Sequence, residues 1–300
     1  MSTIRQTSMS VVLAAALFAS ASAHAGLATN TMVATSVGYQ TDYGTQAGNA
    51  MSSSLYQQNA TSDATARATA SYGILKSYVS GYGTAYSTST AVAYAGFTDF
   101  ITISNPELDG QVGTVTLSFY YDYDLDIHGN NTYPANTANG HFSAYAGMYG
   151  YYGNTYSSQV NTSVNNNGVQ DFINGGTTTS DLNGLRYDPV GHYLSFTGKF
   201  VYGSAFMINM NIAIDGSTYT NQNGGTSSYV GDATHSGYWA GISSLTADGK
   251  TVTAYTLSSQ SGTDYSQSFA PSADVPEPGA LALLAAGLAG LVGVRRKRAA

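Results

Sequence analysis

The chain reads as an all-β protein, a two-sheet antiparallel sandwich of the jelly-roll kind. Three observations predict this. Apolar and polar residues alternate strictly in several long runs. No stretch between residues 26 and 274 carries the apolar spacing of a soluble amphipathic helix. Gly, Asn and Ser clusters punctuate the runs as turns do. About ten strands with one buried face each cannot be covered by helices the chain lacks, so they must cover one another as two packed sheets.

Residues 27–60 are polar and read mostly as loop, with one strand near Met32–Tyr39. From Ala64 the pattern sharpens. Ala64, Ala66, Ala68, Ala70, Tyr72 and Ile74 alternate with Asp63, Thr65, Arg67, Thr69 and Ser71. Period two places each set on its own face of a strand. Alanines on the inner face predict close approach of the second layer. Phe97, Asp99, Ile101 and Ile103 alternate next, and Asn105-Pro106 ends that strand.

The clearest run is Thr114 to Ile127. Its odd positions, from Val115 through Phe119 to Ile127, are apolar or aromatic. Its even positions run Thr114, Thr116, Ser118, Tyr120, Asp122, Asp124 and Asp126. A helix would mix the two sets. Fully extended it would measure about 45 Å, so a bend or bulge is expected within it.

His128–Gly140 and Asn165–Gly184 read as loops, and His141–Tyr152 as a strand. Leu194, Phe196, Phe200 and Tyr202 share one face, and Phe206, Ile208, Met210, Ile212 and Ile214 share another. Tyr202-Gly203-Ser204 suits a hairpin between them. Gly237–Leu245 and Thr251–Leu257 form a last strand pair around the turn dipeptide Asp248-Gly249.

The two ends differ from the middle. Residues 1–25 have the parts of a secretory signal peptide: Arg5, an apolar Val11–Ala19 and the small-x-small site Ala23-His24-Ala25. Cutting there involves export through the Sec translocon and signal peptidase. At the other end Val275-Pro276-Glu277-Pro278-Gly279 precedes the apolar run Ala280–Val294, and Arg295, Arg296, Lys297 and Arg298 follow. The prolines keep the approach extended. The basic cluster resists translocation and stays cytoplasmic. As a helix the run covers roughly 22 Å, short of the ~30 Å hydrocarbon core, as a temporary anchor would be. The expected organisation is therefore a signal peptide over 1–25, a β-sandwich ectodomain over 26–270 and a sorting segment over 275–298.

The order of motif, short apolar helix and arginine-rich end resembles the PEP-CTERM sorting signal of Gram-negative bacteria. That resemblance covers residues 275–298. It implies export, a transient stay in the inner membrane, recognition and cleavage near the motif by an exosortase, and delivery to the cell surface or extracellular matrix. The strand–turn–strand near the end of the domain, with Ser71–Leu75 and Phe97–Phe100 near its start, is also similar to other ectodomains of that class. This second resemblance places residues 27–268 in one jelly-roll-like sandwich.

Composition bounds the chemistry. Between the two ends five cations (Arg67, Lys76, Arg186, Lys199, Lys250) stand against 16 acids, a charge of −11, which is unfavourable for a nucleic-acid partner. With no cysteine, a thiol nucleophile and a cysteine-held metal are excluded, and stability comes from buried area alone. A surface of hydroxyls and amides suits a setting rich in exopolysaccharide.

Candidate sites are few. Asp122, Asp124 and Asp126 share a strand face about 7 Å apart, and calcium would relieve their repulsion. Their spacing is that of the start of an EF-hand loop, but Ile127 stands at the glycine position and Tyr133 at the twelfth. The plainer reading, which we favour, is a solvated strand face. No cofactor is required otherwise. Tyr145, Tyr149, Tyr151 and Tyr152 crowd one region with Gly and Asn. They suit either stacking on sugar rings or packing within the sheets. No histidine pair has metal-ligand spacing. Ser143, Ser195 and Ser204 lack a nucleophile-elbow setting, and Glu107 is the one glutamate between the two ends. The residues point to a non-catalytic exported surface or matrix protein. A carbohydrate-binding module and a secreted polysaccharide hydrolase remain as alternatives.

Overall fold

The computed structural model describes residues 27–271, apart from 36–39, 47–50, 130–136, 166–167, 172–175, 181–183, 190–192, 221–224 and 236. Among these residues there is no α-helix; one 3-10 turn, Tyr151–Gly153, interrupts the strands. The fold is two antiparallel sheets packed as a sandwich, as the alternation predicts.

In chain order the first strands are β1 (Ala28–Thr35), β2 (Gln40–Gln46), β3 (Met51–Gln58), β4 (Ser62–Ser71), β5 (Ile74–Thr84), β6 (Thr88–Ser104) and β7 (Val112–Tyr120). The middle holds β8 (Asp124–Gly129), β9 (Thr137–Tyr149), β10 (Thr155–Asn165), β11 (Gly168–Asp171), β12 (Gly176–Ser180) and β13 (Gly184–Pro189). The last are β14 (Tyr193–Val201), β15 (Ala205–Tyr219), β16 (Thr226–Ala233), β17 (Tyr238–Ala247), β18 (Lys250–Thr251) and β19 (Thr256–Ser259). One sheet runs β11-β10-β9-β15-β6-β1-β2, with β19 also on β6. The other runs β12-β13-β8-β16-β5-β17-β7-β14, with β4 on β5, β3 on β4 and β18 on β17.

The inner faces are those the alternation marks. Ala64, Ala66, Ala68 and Ala70 are buried, as are Ala91, Ala93 and Ala95 of the facing β6. Cα atoms of β4 and β6 come within 8 Å, closer than the ~10 Å usual between sheets, because these faces carry only methyl groups. Larger side chains fill the other half: Phe97, Phe119, Phe142, Tyr121 and Trp239 are buried to within 1%. A smaller cluster of Met32, Val92, Tyr94 and Ala213 lies on the opposite face of the first sheet.

Several boundaries differ from the sequence reading, each for a local reason. Ile74 does not continue the alanine strand. A two-residue turn at Tyr72-Gly73 pairs Ser71 with Ile74, and Leu75, Ser77 and Val79 take the buried phase. Gly73 has φ +79°, and a Cβ there would lie 2.5 Å from the Phe269 ring. The run from Thr114 to Ile127 breaks at 121–123, where the expected bend falls, so β7 and β8 pair with different neighbours.

Tyr202-Gly203-Ser204 is not a hairpin. β14 belongs to one sheet and β15 to the other, and Gly203 (φ +77°) carries the chain between them, its N–H donating to the Ile103 carbonyl at 2.9 Å. Alternation marks a strand's two faces but not which sheet it joins. The Asp248-Gly249 turn forms, both residues with positive φ, but its second strand leaves after Val252 and pairs with β6 across the sandwich as β19. Residues 27–60 hold three strands, and β11 and β12 lie in the expected 165–184 loop. β2, β3, β11 and β12 stand at sheet edges, and their low apolar content leaves no alternating run to mark them.

Candidate functional site

The outer face of the second sheet carries a row of tyrosines. Strand register sets Tyr193 of β14 opposite Tyr120 of β7, and Tyr120 opposite Tyr238 of β17. Tyr120 and Tyr193 meet edge to face with ring centroids 5.4 Å apart, and Tyr120 and Tyr238 lie 6.1 Å apart. Tyr193 is 55% exposed. Burial first, and then the Asp122 carboxylate that hydrogen-bonds it, push the Tyr120 phenol up to about 12. Burial and the same carboxylate raise Tyr238.

Behind this row the same three strands present small hydroxyls. Ser118 and Ser195 meet at 3.0 Å, and Thr116 and Thr197 at 2.8 Å. The third strand places Gly241 beside Ser118, and a side chain there would meet nothing within 4 Å. The result is an aromatic edge, then a flat polar floor.

At its other side the face continues along β5. Tyr238 is registered with Ile74, and Lys76 and Tyr78 follow on the same side. Arg67, Thr69, Lys76, Tyr78, Asp232 and Thr234 line a groove of about 330 Å³. Register pairs Thr69 with Lys76, Arg67 with Tyr78, and Tyr78 with Asp232. The Arg67 guanidinium carbon lies 5.9 Å from the centre of the Tyr78 ring. Among the described residues the ion pairs are His128–Asp126 and His141–Asp215, so neither Arg67 nor Lys76 has a carboxylate partner.

The three aspartates take separate roles on this face. Asp122 serves Tyr120 and Tyr238. Asp124 lies opposite Asp232 in the ladder, and Asp126 pairs with His128 at 3.1 Å. Among the described residues no group of three or more His, Asp or Glu side chains converges as a metal site. Tyr145 and Tyr149 are on β9, while Tyr151 and Tyr152 sit on the 3-10 turn, their rings 4.1 Å apart and Tyr152 87% exposed. Hydrogen bonding to Tyr152 raises Tyr151. The four are thus divided between a strand and a turn.

His141 Nδ1 lies 3.0 Å from Asp215 Oδ1 on the first sheet, an arrangement a general base would use. Ser143, two residues along the same strand, is 3% exposed, and among the described residues its hydroxyl has no hydrogen-bond partner. Among the described residues, then, no hydrogen bond joins Ser143 to His141.

Sequence reasoning missed the tyrosine row. Its members lie 73 and 45 residues from one another's strands, and nothing local signals their register; only the placement of Tyr120 among polar residues of a strand marked it as outward-facing.

Val275, Pro276, Glu277 and Pro278, the cluster Arg295, Arg296, Lys297 and Arg298, and the signal peptide all lie outside the described residues. Among the described residues no helix is long and apolar enough to cross a membrane. A family model, the PEP-CTERM protein-sorting motif, matches residues 274–297. No curated protein matches the chain. The motif marks the chain as an exported protein that an exosortase sorts towards the cell surface.

Proposed function

We propose that the chain is a non-catalytic surface or matrix protein whose β-sandwich associates with exopolysaccharide once an exosortase has cut its tail. The observation that carries the sorting half is the PEP-CTERM motif at residues 274–297. In the pathway this implies, the Sec translocon threads the domain outward and signal peptidase removes residues 1–25. Ala280–Val294 then pauses in the inner membrane with Arg295–Arg298 behind it. Pro276-Glu277-Pro278 cannot join the helix and is presented, extended, to the protease. Whether a lipid or another group replaces the tail does not affect this geometry.

The polysaccharide half is supported by the outer face of the second sheet. Three tyrosines in a row offer apolar ring faces, and the Ser and Thr pairs behind them offer hydroxyls that bond sugar hydroxyls without charge. This favours the carbohydrate-binding module as the second reading, at a different set of tyrosines from those the sequence singled out.

The test is made in cells that hold the exosortase. Replacing Pro276-Glu277-Pro278 by alanines is expected to retain the protein in the inner membrane at its uncut mass, as intact-mass measurement reads directly. Unchanged release would show that the tail is an ordinary anchor.

A further inference from the structure

The polysaccharide reading names no sugar, but the groove beside the tyrosine row narrows the choice. Between residues 26 and 274 the chain carries five cations against 16 acids. Two of the five, Arg67 and Lys76, face the same groove of about 330 Å³. Register makes them diagonal neighbours, because Arg67 stands opposite Tyr78 and Lys76 opposite Thr69. Diagonal neighbours on a strand pair lie roughly 7–8 Å apart between Cα atoms, near enough for long side chains to converge and for like charges to repel.

An acidic protein has many carboxylates with which to neutralise such a pair, yet among the described residues neither cation is ion-paired. Asp232, the one acid lining the groove, is turned to other work. Its Oδ1 accepts from the Thr234 backbone N–H at 2.8 Å and from the Thr234 hydroxyl at 2.6 Å. The groove therefore combines two cations with no carboxylate partner among the described residues, an aromatic ring at Tyr78, an acceptor at Asp232 and hydroxyls at Thr69 and Thr234.

We propose that this groove binds a carboxylate-bearing sugar, a uronate unit of an acidic polysaccharide, whose chain runs on across the tyrosine row. The inference rests on the polysaccharide reading above and adds the substituent that the site selects. The Arg67 fork matches a carboxylate's two oxygens, and Lys76 adds a second charge. Asp232 and the threonines meet ring hydroxyls, which a simple inorganic anion lacks. Tyr238 and Ile74 are registered neighbours, so the chain's next units pass from groove to tyrosines without leaving the sheet face. The pairing also solves a problem of attraction. A protein of charge −11 repels an acidic polymer at long range, and a local cation pair makes contact possible where the field is screened beyond about 8 Å at physiological salt.

The secreted protein is titrated calorimetrically with polygalacturonate, neutral dextran and dextran sulfate. Polygalacturonate is expected to bind, weakening as salt rises, and the R67Q/K76Q variant to lose about tenfold or more of that affinity. Both positions are exposed, so the variant should keep the parent's melting temperature, and a Y193A variant should lose affinity for the same polymer. Binding of dextran alone would overturn the uronate assignment while leaving the polysaccharide reading standing. Equal binding of dextran sulfate would overturn it as well, reducing the groove to a general anion attractor. If none of these polymers binds, nor the producing cell's own polysaccharide, both readings fall together.

Discussion

The indole N–H of Trp239 donates to the backbone carbonyl of Tyr265 at 2.9 Å, inside the domain. Trp239 is the chain's only tryptophan. Its ring stands edge to face with Phe119 at 5.2 Å and with Tyr265 at 5.0 Å. Its backbone holds the same segment from the other side, accepting from the Phe269 N–H at 2.8 Å. The strap after β19 is therefore sewn to the core within a few residues of the sorting segment. Beneath it the buried Asp99 carboxylate accepts from the Ser261 N–H at 3.2 Å and from the Ser261 hydroxyl. Tyr265 is held protonated by burial and then by Asp99.

Trp239→Phe keeps an aromatic ring but leaves the Tyr265 carbonyl without its donor and opens space for part of the indole. A buried acceptor left unsatisfied costs about 1–3 kcal/mol. The variant is expected to unfold at lower urea, and the strap at 260–269 to become the first site of proteolytic nicking. Equal denaturation midpoints would show that the indole hydrogen bond adds nothing to the contacts that hold the strap.

Tyr229 lies against two glycines. A Cβ on Gly216 would come 2.0 Å from its ring, and one on Gly81 would come 2.4 Å from its hydroxyl. Both glycines are needed for close approach, not for turn geometry. Gly216→Ala is expected to destabilise by about 1–3 kcal/mol through overpacking, read as a fall in the thermal midpoint. Gly110→Ala serves as the contrast for space alone: a Cβ there meets nothing within 4 Å, and its cost is that of a positive φ.

The tyrosine row predicts a pH dependence. In the unfolded chain a phenol titrates near 10, and in the fold Tyr120 is raised to about 12. A group whose folded pKa is raised stabilises the fold in full below its unfolded value and loses that contribution as pH climbs through the folded one. Stability should therefore fall between about pH 10 and pH 12, on top of the titration of the other phenols. Asp122→Asn is expected to bring Tyr120 part of the way back towards 10, because burial, the larger cause, remains. NMR of ring-labelled tyrosine reads the shift, and an unchanged Tyr120 titration would remove Asp122 from the row.

Much of the sandwich could be read in advance and most of the candidate site could not, for one physical reason. Alternation is local, and it placed the inner faces of β4, β6, β7, β14 and β15 correctly. Register and sheet membership depend on the whole chain. Nothing near Gly203 says that it crosses between sheets, and nothing near Tyr193 says that Tyr120 is its neighbour. Arg67 was legible as an outward residue of its strand, but its place beside Lys76 follows only from the Tyr72-Gly73 turn, whose position shifts the phase by one. The sorting segment was legible for the opposite reason. It is recognised as a linear peptide, so its chemistry lies in consecutive residues.

The aspartate triplet gives the last prediction. Three carboxylates on one strand face invite calcium, and their expected roles here differ. Asp122 is engaged by the tyrosine row and Asp126 by His128, and Asp124 stands opposite Asp232 in the strand ladder. Calcium takes six to eight oxygens, and no third carboxylate among the described residues joins a shared site. A ligand that binds only the folded state must raise its stability, so millimolar calcium is expected to leave the melting temperature unchanged. A rise abolished by Asp124→Asn would instead restore the triplet as a metal site. If the Asp124→Asn variant alone proves more stable than the parent, without calcium, Asp124 and Asp232 repel each other across the ladder. The strand face then bears that repulsion as the cost of the acidic surface beside the groove.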